Sequence, residues 1–102
     1  MKANMTKHAK IDRYDRICAI VDLFNGDIGE TVIRVWSKKY NSFQELTSNG
    51  VVISRSANDM IITMFLCNMD KARYFCASSG KELTKNQWKR IKENQKYITL
   101  IQ

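Results

Sequence analysis

The sequence predicts an α+β fold, with a small antiparallel sheet of three to four strands and two to three packed helices in a single domain. Three observations carry this. Met60 to Cys67 is a continuous apolar run, β-branched at Ile61, Ile62 and Thr63, as expected of a buried strand. Directly after it the period becomes helical. Met69, Ala72, Phe75, Cys76 and Ser79 recur on one side, with Asp70, Lys71, Arg73 and Tyr74 on others. Asn68 stands at the N-cap of that helix, Asp70 complements its positive end, and Gly80 supplies the stop. A further helix opens at Thr84, where two independent start signals coincide. Thr84 and Gln87 form a capping box, and Leu83 and Trp88 occupy the positions of a hydrophobic staple.

With 102 residues, no proline and no linker-like stretch, the chain reads as one domain over residues 11–102. Residues 1–10, basic and without periodicity, read as a flexible tail. From Ile11 the pattern turns helical, with Ile11, Tyr14, Ile17, Cys18, Val21 and Phe24 on one face and Asp12 paired with Arg16 on another. A strand over Arg16 to Phe24 is the competing reading; the length of the pattern and the absence of strict alternation favour the helix. Asn25-Gly26 ends it.

Thr31 to Trp36 is rich in β-branched and aromatic residues and reads as a strand, followed by a polar connection at Lys38, Lys39 and Tyr40. Ser42 to Gly50 admits two readings. Ser42 and Glu45 match a capping box, which favours a short helix closed by Asn49-Gly50. In the alternative, Phe43 to Thr47 is a strand that turns at Ser48-Asn49-Gly50 into the next one. Val51 to Arg55 is a strand in both, and Ala57-Asn58-Asp59 connects it antiparallel to the run at Met60. The last helix runs from Lys85 to about Lys96, and Tyr97 to Ile101 forms a final strand or a tail packed on the sheet.

Most catalytic templates lack a part. The only histidine, His8, lies in the tail, which leaves a serine or cysteine nucleophile without a base. Gly80-Lys81 lacks the upstream glycine of a phosphate loop, and Glu82 stands where a magnesium-binding hydroxyl belongs. The GDIGE segment at residues 26–30 lacks the third glycine of a dinucleotide fingerprint. Asp12 and Asp15 lie beside Arg13 and Arg16 on a charged helix face. Cys18, Cys67 and Cys76 have neither the number nor the spacing of a disulfide framework or zinc knuckle and read as reduced core residues. The expectation is therefore no catalysis, no metal and no cofactor. The longest apolar stretches, Ile17 to Val21 and Met60 to Cys67, are too short to span a bilayer, and residues 1–10 lack the apolar segment of a signal peptide. A cytoplasmic protein with no membrane partner is expected.

The formal net charge of +7 is unevenly placed. Residues 81–102 hold six basic and two acidic residues, whereas residues 11–30 hold two basic and five acidic ones. Lys85, Lys89, Lys92 and Lys96 follow i, i+4, i+7, i+11 and fall in one narrow helical stripe, with Arg90 on another side and Trp88 and Ile91 on the adjoining apolar face. Like charges at this spacing repel, so local stability does not favour the arrangement; a solvated face and a polyanion contact are the two explanations. Arg34, Lys38 and Lys39 form a second basic group near Trp36 and Tyr40, a mixture suited to single strands, although strand aromatics such as Trp36 usually pack inward. No RNP pattern, zinc finger or basic zipper is present. The expected function is a small basic accessory protein that binds DNA or RNA through the C-terminal lysine-striped helix, with Arg34, Lys38 and Lys39 as secondary contacts. The alternative is a protein-interaction module, an inhibitor or adaptor of the kind phages and mobile elements encode, with a protein partner.

Overall fold

Four consecutive antiparallel strands make the sheet, β1 (Thr31–Ser37), β2 (Ser42–Thr47), β3 (Val51–Arg55) and β4 (Ile61–Leu66), in that spatial order. Helices α1 (Lys7–Asp12) and α2 (Tyr14–Leu23) precede it, and α3 (Met69–Ser79) and α4 (Lys85–Ile101) follow. The computed structural model describes residues 4–101, apart from the side chain of His8; residues 1–3 of the expected tail and the His8 imidazole lie outside them.

Strand alternation sends side chains to two cores. On one face Val51, Ile53, Met64 and Leu66 meet Ala9 of α1, Ile17 and Ile20 of α2, and Tyr97, Ile98 and Ile101 of α4. On the other, Ile33, Leu46 and Val52 meet Ala72 and Phe75 of α3, with Trp88 and Ile91 of α4. A register slip of one residue would exchange these sets, so burial on both faces fixes the pairing. The α3 helix starts and stops as its sequence demands. Asn68 accepts from the Lys71 N–H at 2.7 Å, and Gly80 adopts φ 73° at the C-terminal end.

Helix α4 contributes to both cores and is seated on the β2–β3 turn. Asn94 Nδ2 donates to the Asn49 carbonyl at 2.8 Å, Arg90 Nη1 to Asn49 Oδ1 at 2.9 Å, and Gln95 Nε2 to the Cys67 carbonyl at 3.1 Å. Gly50 closes the turn at φ +80°, and a Cβ there would stand 2.8 Å from Asn94 Nδ2 and 3.2 Å from Ile91 Cγ1. Both the backbone conformation and the close approach of α4 require glycine at this position.

Four expectations need correction. Residues 42–47 form a strand, not a short helix: every residue except Phe43 is buried, because β2 pairs with β1 and β3 along both edges, with Leu46 in the core under α3 and Glu45 held between Arg34 and Arg55. That pairing overrides the Ser42–Glu45 capping signal. Residues 97–101 continue α4 rather than forming a strand, since Tyr97, Ile98 and Ile101 recur at helical spacing onto the core under α1 and α2. The tail expected over residues 1–10 is part of the fold from Asn4 onward. The Thr6 N–H donates to the Ile61 carbonyl at 2.8 Å, the Ile61 N–H to the Asn4 carbonyl at 2.7 Å, and Ala9 is fully buried. Finally, the first helical pattern breaks at Arg13 into two helices. Its buried face is Ile17 and Ile20, while Ile11 is 67% exposed, and Arg16 turns away from the helix surface to donate to the Met64 carbonyl at 2.9 Å.

The cysteines are free, with Cys67 buried and Cys18 and Cys76 partly so. Among the described residues no helix is long and apolar enough to cross a membrane.

Candidate nucleic-acid interface

The outer face of α4 begins with its cap. The Thr84 N–H donates to Gln87 Oε1 at 2.9 Å and the Gln87 N–H to Thr84 Oγ1 at 3.2 Å, so the reciprocal box read from the sequence is formed. It fixes the rotational phase of the helix together with Trp88 and Ile91 beneath. At about 100° per residue, Lys85, Lys89, Lys92 and Lys96 fall within about 60° of arc, opposite Asn94 and Ile91, which are buried. All four lysines are exposed. The stripe runs about 17 Å along the axis, close to five phosphate intervals of one nucleic-acid strand.

These charges are barely neutralised within the protein. Lys89 Nζ lies 4.0 Å from Glu93 Oε1, at the limit of an ion pair, and both side chains are more than half exposed. Lys96 Nζ lies 5.1 Å from the Tyr97 ring centroid. Among the described residues Lys85 and Lys92 have no ion pair. Arg90 stands apart from the stripe and is engaged with Asn49.

The second basic group is built differently. Arg34 Nε lies 3.2 Å from Glu45 Oε2, Arg34 Nη2 3.6 Å from Asp59 Oδ1, and the guanidinium covers the Phe43 ring at 3.8 Å. Glu45 also receives Arg55 Nε at 2.9 Å. Arg34 is thus one member of an Arg34–Glu45–Arg55 cluster, held on the ribbon face. Trp36, placed inward by strand propensity, is 43% exposed and stacks edge-on against Phe43 with centroids 4.8 Å apart. Lys38 and Lys39 are exposed in the β1–β2 turn, Lys39 Nζ lying 5.2 Å from the Tyr40 ring.

Topology separates the two groups. The β1–β2 and β2–β3 turns lie at opposite ends of β2, and α4 sits on the second. A six-residue strand puts about 20 Å between them. The structure therefore gathers Lys85, Lys89, Lys92 and Lys96 on one face and leaves Lys38 and Lys39 at the far end of the sheet, with Arg34 engaged between. Sequence reasoning missed Asn49 and Asn94, the residues that hold α4 in phase; nothing in the local sequence marks a contact 45 residues apart.

Burial raises the Cys67 thiol to about 12, with Cys76 adding to the effect and Lys71 opposing it. A thiol so placed is protonated and inert as a nucleophile at neutral pH. Among the described residues no three of His, Cys, Asp and Glu come together as a metal site. Fold and face together describe a small α+β domain with an outward basic helix. No family model, curated protein or solved structure matches the chain.

Proposed function

We infer that this protein is a small basic accessory protein that binds nucleic acid through the outer face of α4, without catalysis. The observation that carries the reading is the exposed lysine stripe, Lys85, Lys89, Lys92 and Lys96, with one marginal ion pair to Glu93 among the described residues, on the side of α4 opposite its packed face. Ammonium groups in such a row interact with phosphates by charge rather than base identity, so affinity is strongly salt-dependent and modest in sequence preference. Lys38, Lys39 and Arg34 lie too far from the stripe to share a short ligand with it, and contribute only along a longer strand that wraps the domain.

The test is a gel shift with duplex and single-stranded DNA and RNA at several salt concentrations, comparing the parent with a variant carrying Lys85→Gln, Lys89→Gln, Lys92→Gln and Lys96→Gln. For every lysine–phosphate pairing removed, the slope of log affinity against log salt should flatten by about 0.9 on a duplex or about 0.7 on a single strand. An unchanged slope removes the reading. A second reading, a protein-interaction module, is favoured by Trp36, since no β1 or β2 residue joins the core under α1 and α2 and the indole is 43% exposed. Native mass measurement showing a stoichiometric protein partner, absent with Trp36→Ala, supports that alternative.

A further inference from the structure

At the end of the sheet away from α4 lies a pocket of about 380 Å³, between the β1–β2 turn, the α1–α2 junction and the start of α3. Its lining side chains include two cations, Arg13 and Lys71, and no carboxylate. Neither cation forms an ion pair among the described residues. Arg13 Nε is buried without a hydrogen-bond acceptor, and Lys71 Nζ rests 4.5 Å from the Tyr74 ring centroid. Arg16 adds a third cation behind the wall, donating to Thr63 Oγ1. Burial first, and then the charge of Arg13, hold the Arg16 guanidinium below its ordinary range.

Hydrogen-bond accounting on the floor points the same way. Gln44 Nε2 donates to Ser42 Oγ at 3.1 Å and to Ser54 Oγ at 2.9 Å, and the two serine oxygens lie 3.4 Å apart. Two hydroxyl protons serve one mutual contact, so one is left without an acceptor. Thr63 Oγ1 accepts from Arg16, which leaves its own proton free as well. Two hydroxyl protons on the floor are thus without a partner and two cations, Arg13 and Lys71, stand at the walls, an arrangement that an anion satisfies. The volume corresponds to roughly a dozen waters, more than an inorganic anion fills. Tyr40, 61% exposed at the rim, and half-buried Phe65 offer ring surface for an organic body.

We propose that this pocket binds a phosphate monoester on a body of mononucleotide size. The phosphate meets Arg13, Lys71 and the Ser42–Ser54 hydroxyls, and the base or ring lies toward Tyr40. This goes beyond the α4 reading and does not depend on it.

Calorimetric titration of the full chain with a nucleoside monophosphate, the parent nucleoside and inorganic phosphate tests it. The monophosphate should bind at least tenfold more tightly than either fragment, and Arg13→Gln and Lys71→Gln should each weaken it about tenfold. Arg13 stands at a helix junction, so Lys71→Gln, on the first turn of α3, is the deciding variant, with its thermal midpoint checked alongside. The four-lysine variant of α4 should bind the monophosphate as the parent does. A 5′-phosphorylated oligonucleotide that competes better than the free nucleotide identifies a strand end as the source; equal competition identifies the free nucleotide; both support the pocket. Equal binding of nucleoside and monophosphate, retained affinity in Lys71→Gln, or abolished binding in the α4 variant overturns the proposal.

Discussion

Helix α4 and the β1–β2 ribbon each set cations beside an indole, and the two use them in opposite ways. On the ribbon, Arg34 and Arg55 converge on Glu45, whose side chain is only 9% exposed, and Arg34 also covers Phe43. On α4, the lysines meet water, with one marginal contact to Glu93. The local sequences resemble each other; the difference comes from what the fold brings opposite. Register places Glu45 directly across from Arg34, whereas the four α4 lysines are exposed and their one ion pair among the described residues is within the helix itself. Clustered charge in a sequence is therefore left available for a partner only where the topology supplies no internal one.

The comparison breaks most severely if α4 loses its seat. Gly50→Ala should cost about 2–4 kcal/mol, from a left-handed conformation forced on a β-carbon and from contact with Asn94 and Ile91. Urea unfolding measures it, and a loss below about 1 kcal/mol would mean that α4 is not held on the turn as described. Next in size is the ribbon. Glu45→Gln should destabilise by about 2 kcal/mol, discounted from the buried-pair range because Arg34 is 45% exposed. It should leave the salt slope of nucleic-acid binding unchanged. If binding instead improves because Arg34 is released, the ribbon is a suppressed part of the surface and the contrast must be redrawn.

A smaller effect separates the underside of α4 from its outside by pH. Cys67, whose carbonyl accepts from Gln95, keeps its thiol protonated to about 12 in the folded state. Its stabilising contribution is fully present below the ordinary thiol value and is lost as pH rises from there toward the folded one, because the unfolded chain releases the proton first. Between pH 9 and 10 the parent should lose about 1 kcal/mol more stability than Cys67→Ala does. Parallel slopes would place the thiol in a wetter setting than its burial implies.

What was legible in the sequence was local. The Thr84–Gln87 box, the Asn68 cap and the Gly80 stop each involve groups within four residues, and all three form as read. What was illegible depended on partners far along the chain. Ser42 and Glu45 have the spacing of a cap, but pairing with β1 and β3 buries that segment and overrides it. Tyr97 to Ile101 has strand composition, yet the end of α4 packs on Ile17 and Ile20 and stays helical. The same limit holds for the candidate face. Its four lysines are visible as a stripe, while the absence of any acidic partner but Glu93 among the described residues, and the Asn49–Asn94 contact that aims them outward, exist only in the fold.

The smallest predicted effect concerns the stripe's own energetics. Lys85 with Lys89 and Lys92 with Lys96 stand at i, i+4, and Lys89 with Lys92 at i, i+3, so three like-charge pairs each oppose the helix by a few tenths of a kcal/mol. The Lys89–Glu93 contact returns about as much as one pair loses. Replacing all four lysines with glutamine, which has similar helix propensity, should therefore raise stability by roughly 0.3–1 kcal/mol at low salt. The gain should shrink as added salt screens the repulsion. A variant that is more stable and no longer binds nucleic acid would identify the stripe as kept for contact at the expense of the helix. A variant that is less stable would show the lysine stems packing on the protein, and the row would then need no partner to explain it.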